Sequence, residues 1–199
     1  TMPSNEILVV SGFPRCGSSL VMRMLQAAGV RCVYDAAHSM ECAAMLQLPE
    51  QTAWLHDCRG AAVKLLNIGR YTPPTGYQYR VIWLDRDPHE QLKSEAKYLD
   101  YLKVPRPAQT HQAFRRAASH RWKERDIAIR YWRDVLHAQI LPLKFEDLIL
   151  ARVQTTCEIQ KFAGLPDGSI GKMIPLIVNR APKNYDGLRS EEHTSELQS

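Results

Sequence analysis

The order of apolar and polar positions divides the chain into two kinds of segment. Residues 7–11 (ILVVS) form a short, almost wholly apolar, β-rich run, the pattern of a strand covered on both faces. Residues 61–66 (AAVKLL), 79–85 (YRVIWLD) and 140–145 (ILPLKF) repeat it, and 31–34 offer a shorter run. Between them lie longer stretches of helical composition. Residues 20–28 (LVMRMLQAA) end at Gly29, a natural stop, and 88–102 begin with Pro88 in the first turn. Residues 109–137 place Phe114, Ala118, Trp122, Ile129, Trp132 and Leu136 on one stripe. Residues 146–163 read as a further helix, 167–178 as a short last one, and 35–58 as loop and helical pieces. No repeat or linker interrupts the series. Strands alternating with helices predict a single α/β domain with a mostly parallel sheet, whose ligands bind at the carboxyl ends of the strands.

Composition changes this picture in two places. The last eleven residues, 189–199 (RSEEHTSELQS), match one reading frame of a widely used short-read sequencing adapter. They are read as a non-native tail and left out of the domain, which then spans 1–188. Deleting them is expected to leave thermal stability and ligand binding unchanged, and a clear fall in melting temperature would show that the tail is packed. Without them Lys and Arg number 25 and Asp and Glu 18, so the body carries +7 where the whole chain carries +5. Such an excess suits an anionic ligand. The five cysteines form no CxxC pair and no zinc spacing. Together with the lack of a signal-like start or a long apolar run, they predict reduced thiols in a cytoplasmic protein with no membrane span and no metal.

The first chemical motif sits between the first strand and the first helix. Gly12 and Gly17 have the spacing of a Walker A loop, GxxxxGK[ST], but Ser18 stands at the lysine position. Backbone N–H groups of such a loop form an anion site with the start of the next helix. Ser18 and Ser19 add hydroxyls, and Arg15 adds a cation. A second motif follows the strand at 79–85, where Arg86 and Ser94 stand eight residues apart across an Asp87-Pro88 step. Arg86 can offer a two-pronged grip to a phosphate. Asp85 also ends a Walker B-like strand (VIWLD), which is the mark of a kinase that holds Mg²⁺.

Residues 13–19 (FPRCGSS) resemble the 5'-phosphosulfate loop of the sulfotransferases that use PAPS (3'-phosphoadenosine 5'-phosphosulfate). The stretch 9–30 is similar to small bacterial members of that family, and 143–148 (LKFEDL) resembles a recurrent Y-E-D-L step with Phe145 for Tyr. The resemblance implies a three-layer, P-loop NTPase-like fold and PAPS as co-substrate, with no metal. It implies that Pro14, Arg15, Cys16, Gly17, Ser18 and Ser19 bind the donor's 5' end, and that Arg86 and Ser94 hold its 3'-phosphate. Sulfuryl transfer to a hydroxyl or amine of a small molecule or saccharide follows, with Arg15 acting on the transferring group. The chain departs from the family over 35–50, where an N-P-x-G-[YF]-[YF]-E stretch is missing. Glu41 occupies the position of its last acid and is the candidate base. His38 is its substitute, and Asp35 and His56 lie in the same region. Arg180 and Lys183 are candidate donor clamps. Lys64, inside an apolar strand, divides evenly between a snorkelling edge residue and a role at the donor. The seven Lys or Arg residues from Arg115 to Arg133 read as the solvated side of a docked helix, so nucleic acid is not expected as a partner. The alternatives to a sulfotransferase are a P-loop small-molecule kinase and a non-catalytic nucleotide binder.

Overall fold

The computed structural model describes residues 5–35, 40–101, 103 and 111–177. Five strands form one sheet in the order β2-β3-β1-β4-β5, and every pairing is parallel. They are β1 (Glu6–Gly12), β2 (Cys32–Val33), β3 (Ala61–Leu66), β4 (Gln78–Asp85) and β5 (Gln139–Lys144). The helices are α1 (Ser18–Ala27), α2 (Pro88–Tyr101), α3 (His111–Arg130), α4 (Phe145–Leu150), α5 (Arg152–Phe162) and α6 (Ile170–Met173). Residues 7–10 of β1 and all of β3 are buried, as continuous apolar runs in a parallel sheet require. Pro142 costs the sheet little because β5 is an edge strand.

The order of the strands decides where a ligand can sit. From β1 the chain moves through α1 towards β2. From β4 it moves through α2 and α3 the opposite way, to β5. Right-handed crossovers in opposite directions put these helices on opposite faces and open a crevice between the carboxyl ends of β1 and β4. Gly12 and Leu84 are register partners there, so the loop after β1 and the Asp85-Arg86 step leave the sheet side by side.

Three expected elements differ in detail. The long helix ends at Arg130 and passes into a wider π-type turn, Tyr131–Val135, which buries Trp132. The helix expected over 146–163 is broken at Ala151. The Thr155 hydroxyl donates to the carbonyls of Asp147 and Ala151, and this side-chain bonding accompanies the change of direction. The inward face of α3 follows the apolar stripe in part: Ala118, Trp132 and Leu136 are buried and Ile129 packs against the core, as expected. Buried or half-buried positions fall at Ala118, Arg121, Arg125, Ala128 and Trp132, while Trp122 is half exposed. Two arginines therefore lie on the side assigned to apolar residues, and not in the solvated basic face. Among the described residues, no helix is long and apolar enough to cross a membrane.

Candidate active site

Five residues, 13–17, turn β1 into α1, and two of them have left-handed backbone. Arg15 has φ 67° and Gly17 has φ 95°. Left-handed positions of this kind are what anion-binding backbone nests are built from. Gly12 permits the close start of the loop, because a Cβ there would lie 2.6 Å from the Leu84 carbonyl oxygen and 2.9 Å from Cys16 Sγ. Gly17 caps α1, its carbonyl accepting from the N–H groups of Leu20 and Val21. A Cβ on Gly17 would collide with the Cδ2–Cε2 edge of the Phe145 ring. The Phe145 ring also lies 5.0 Å beneath the Arg86 guanidinium.

The two motifs meet through Arg15. Arg15 Nε donates to Ser94 Oγ at 3.2 Å, and its guanidinium lies 5.1 Å from the centre of the Tyr98 ring. Arg86 Nη1 donates to the Arg15 carbonyl at 3.0 Å, and Gln91 Nε2 to the Pro14 carbonyl at 2.7 Å. Asp87 caps α2 by accepting from the N–H groups of His89 and Glu90. Arg15, Arg86 and Ser94 thus form one cluster, although 71 and 79 positions separate Arg15 from the other two. Cys16 belongs to the loop differently. Its thiol is fully buried beneath Gly12, and burial pushes its pKa up to about 11, so only its backbone faces the cradle. Ser18 is buried in the first turn of α1, and Ser19 is half-buried beside it.

Lys64 is the residue that local pattern left undecided. It is 1% exposed, in the middle of β3, and its Nζ donates to Ser19 Oγ at 2.9 Å and to Glu41 Oε1 at 2.5 Å. Snorkelling is excluded by this burial, although β2 pairs β3 only at Ala62 and Val63 and does not reach Lys64. A buried ammonium is tolerated only when paired, and Glu41 supplies the charge. A cation therefore reaches the helix start beneath the loop from the neighbouring strand. A Walker lysine would reach it from the position of Ser18. Glu41 is 45% exposed, yet its carboxylate stands one ammonium away from the loop. Asp35 is spent on local structure, accepting from the Ala43 N–H at 2.5 Å. His56 is at the wrong end of the sheet. It packs edge-on to Tyr77, near the amino ends of β1 and β4, where Gly60 N–H bonds the Glu6 carbonyl. His38, Arg180, Lys183 and residues 189–199 lie outside the described residues.

Asp85, the acid of the Walker B-like strand, has both oxygens engaged. Arg125 grips it with Nε on Oδ1 at 2.7 Å and Nη2 on Oδ2 at 2.5 Å. The Trp83 indole N–H adds a third bond to Oδ1 at 2.8 Å. The same carboxylate pushes the Arg125 pKa above its ordinary value, mainly through the hydrogen bonds.

No protein-family model matches the chain, and no curated protein matches it in sequence. Solved structures do match. The crystal structure of mouse sulfotransferase SULT7A1 complexed with PAP covers 93% of this chain and 70% of its own, with TM-score 0.53 and 18% identity. Retinol dehydratase in a complex with retinol and PAP matches over 98% and 65%, with TM-score 0.47 and 14% identity. The sulfotransferase domain of the Synechococcus PCC 7002 olefin synthase matches over 85% and 77%, with TM-score 0.43 and 14% identity. The first of these establishes the fold class expected from the sequence: the chain has the P-loop NTPase-like fold of sulfotransferases, with an all-parallel central sheet.

Proposed function

We propose that this chain is a PAPS-dependent sulfotransferase acting on a hydroxyl or amine acceptor. The observation that carries the reading is the convergence of the loop at 12–19 with Arg86 and Ser94 at one end of the sheet. The mouse sulfotransferase of the same fold was crystallised with PAP, adenosine 3',5'-bisphosphate, which supports the same ligand here. The residues present fit it. The N–H groups of residues 15–19 and the start of α1 suit the 5' phosphosulfate, and Arg86 with Ser94 suits the 3'-phosphate.

PAPS supplies a sulfuryl group in which the acceptor forms a bond to sulfur as the bond to the adenosine bisphosphate breaks. The protein's part is positioning and charge stabilisation. Arg15 is held by Ser94 between the two ends of the cradle, and Lys64 brings its charge to Ser19. The Glu41 carboxylate takes the acceptor's proton; it is placed to do so by Lys64, within reach of the loop. The kinase reading is disfavoured by Asp85, whose oxygens are filled by Arg125 and Trp83 instead of facing a metal.

Calorimetry with adenosine 3',5'-bisphosphate, adenosine 5'-monophosphate and ATP with Mg²⁺ tests the reading. The bisphosphate is expected to bind most tightly, and tightest binding of ATP with Mg²⁺ would favour the kinase. Arg86→Ala is expected to weaken the bisphosphate by about 1.5–3 kcal/mol, the scale of a hydrogen bond to a charged group, and the monophosphate much less. Equal losses for the two ligands would remove the 3' assignment.

A further inference from the structure

Helix α3 presents two arginines four residues apart to the body of the protein, and each holds one acid of another segment, Arg125 also bonding its neighbour Asp126 at 3.3 Å. Arg125 grips Asp85 with two bonds, of 2.7 and 2.5 Å. Arg121 Nη2 donates to Glu95 Oε2 at 3.0 Å. The positions of these acids matter. Asp85 directly precedes Arg86, and Glu95 directly follows Ser94, so each acid neighbours one of the two residues assigned to the 3'-phosphate. Arg121 also lies 5.2 Å from the centre of the Phe13 ring, in the loop that carries Arg15, and Phe13 packs edge-on against Trp83 at 5.9 Å. One helix face therefore touches the loop, the strand end and α2, the three segments that carry Arg15, Arg86 and Ser94.

The arrangement is specific in a way that solvated charge pairs are not. The side chains of Arg121, Arg125 and Asp85 are 15%, 25% and 18% exposed, and that of Glu95 30%. Bonds of this kind hold geometry better than surface pairs, because less solvent competes for them. A grip on Asp85 fixes the exit of β4, from which Arg86 departs. A grip on Glu95 fixes the rotation of α2, and with it the direction of Ser94, one residue and about 100° away around the helix.

The geometry points to Arg121 and Arg125 as positioning residues that set the distance between Arg86 and Ser94, and so give the site its preference for a 3'-phosphate. This inference rests on the donor assignment above. The bridge at Arg125 also puts an internal cation on the acid that a metal-dependent P-loop protein would offer to Mg²⁺.

The test is a ratio, so that a general loss of stability does not imitate it. Adenosine 3',5'-bisphosphate and adenosine 5'-monophosphate are titrated into the full chain as wild type, R121Q, R125Q and the exchanged pair Arg121→Glu with Glu95→Arg. Each single glutamine variant is expected to lower the bisphosphate-to-monophosphate affinity ratio by about threefold to thirtyfold, the range for residues that act through others. The exchanged pair is expected to recover most of the Arg121 loss. An unchanged ratio, with a fall in melting temperature alone, would overturn the inference and leave α3 as packing. If R125Q does not fold, R125K takes its place. It keeps the charge but loses the two-pronged grip, and the same fall in ratio is expected. A wild-type ratio near one would instead bring down the donor assignment itself, and this inference with it.

Discussion

Lys64→Met is expected to lower sulfuryl transfer by about 10²–10³-fold, the loss typical when one preorganised charge-stabilising group is removed from an active site. Methionine keeps the length and apolar stem of the lysine, so β3 retains its packing and only the ammonium is lost. The Glu41 carboxylate left behind is 45% exposed and can turn to water, so the fold is not asked to bury an unpaired charge. Product binding is expected to fall less than turnover, since the backbone cradle at 15–19 and Arg86 hold the bisphosphate in either variant. Release of adenosine 3',5'-bisphosphate from PAPS, followed with a panel of hydroxyl and amine acceptors, reads turnover; calorimetry reads product binding. Equal losses in the two measurements would make Lys64 a ground-state ligand. Glu41→Gln separates the partner's role. It keeps a hydrogen-bond acceptor for Lys64 but removes both the base and the charge that pairs the buried ammonium, so turnover should fall and the melting temperature with it.

The importance of Lys64 was hidden for a physical reason. Its partners, Ser19 and Glu41, are 45 and 23 positions away, and nothing in the run AAVKLL points to either. The strand itself was legible, because a parallel sheet buries both faces and leaves a continuous apolar signature. The strand, turn and helix at the start of the chain were legible because they follow one another without spare residues. That Arg86 and Ser94 belong together came only from the family resemblance, because Arg86 lies before the start of α2; the structure shows that each bonds Arg15. Helix α3 follows the apolar pattern only in part, and the departure is informative. Ala118, Ile129 and Trp132 of its stripe turn inward, but Trp122 is exposed, and the inward face is shared by Arg121 and Arg125, which are acceptable there only because Glu95 and Asp85 await them on other segments. Periodicity reports which residues prefer burial. It cannot report a charge whose burial is arranged by a partner elsewhere in the chain.

Gly17→Ala is expected to abolish useful donor binding, with a loss of about 100-fold or more for adenosine 3',5'-bisphosphate, equivalent to roughly 3 kcal/mol. Two effects combine. At φ 95° an alanine is strained whatever the space around it, and here its Cβ would also collide with the edge of the Phe145 ring. The ring cannot move without consequence, because it lies beneath the Arg86 guanidinium. Relief by the loop displaces the N–H groups of the cradle, and relief by Phe145 displaces the arginine assigned to the 3'-phosphate. Both routes damage the same site. Gly29→Ala is the control, since Gly29 has nearly the same backbone, φ 93°, but has nothing within 4 Å of an added Cβ. That variant should lose only about 1–2 kcal/mol of stability to backbone strain and none of its ligand affinity. Adding Phe145→Ala to Gly17→Ala should relieve the clash and raise the melting temperature above that of Gly17→Ala alone, while binding stays weak because Arg86 has lost its support. If Gly17→Ala binds the bisphosphate as the wild type does, the loop at 12–19 is not the donor cradle.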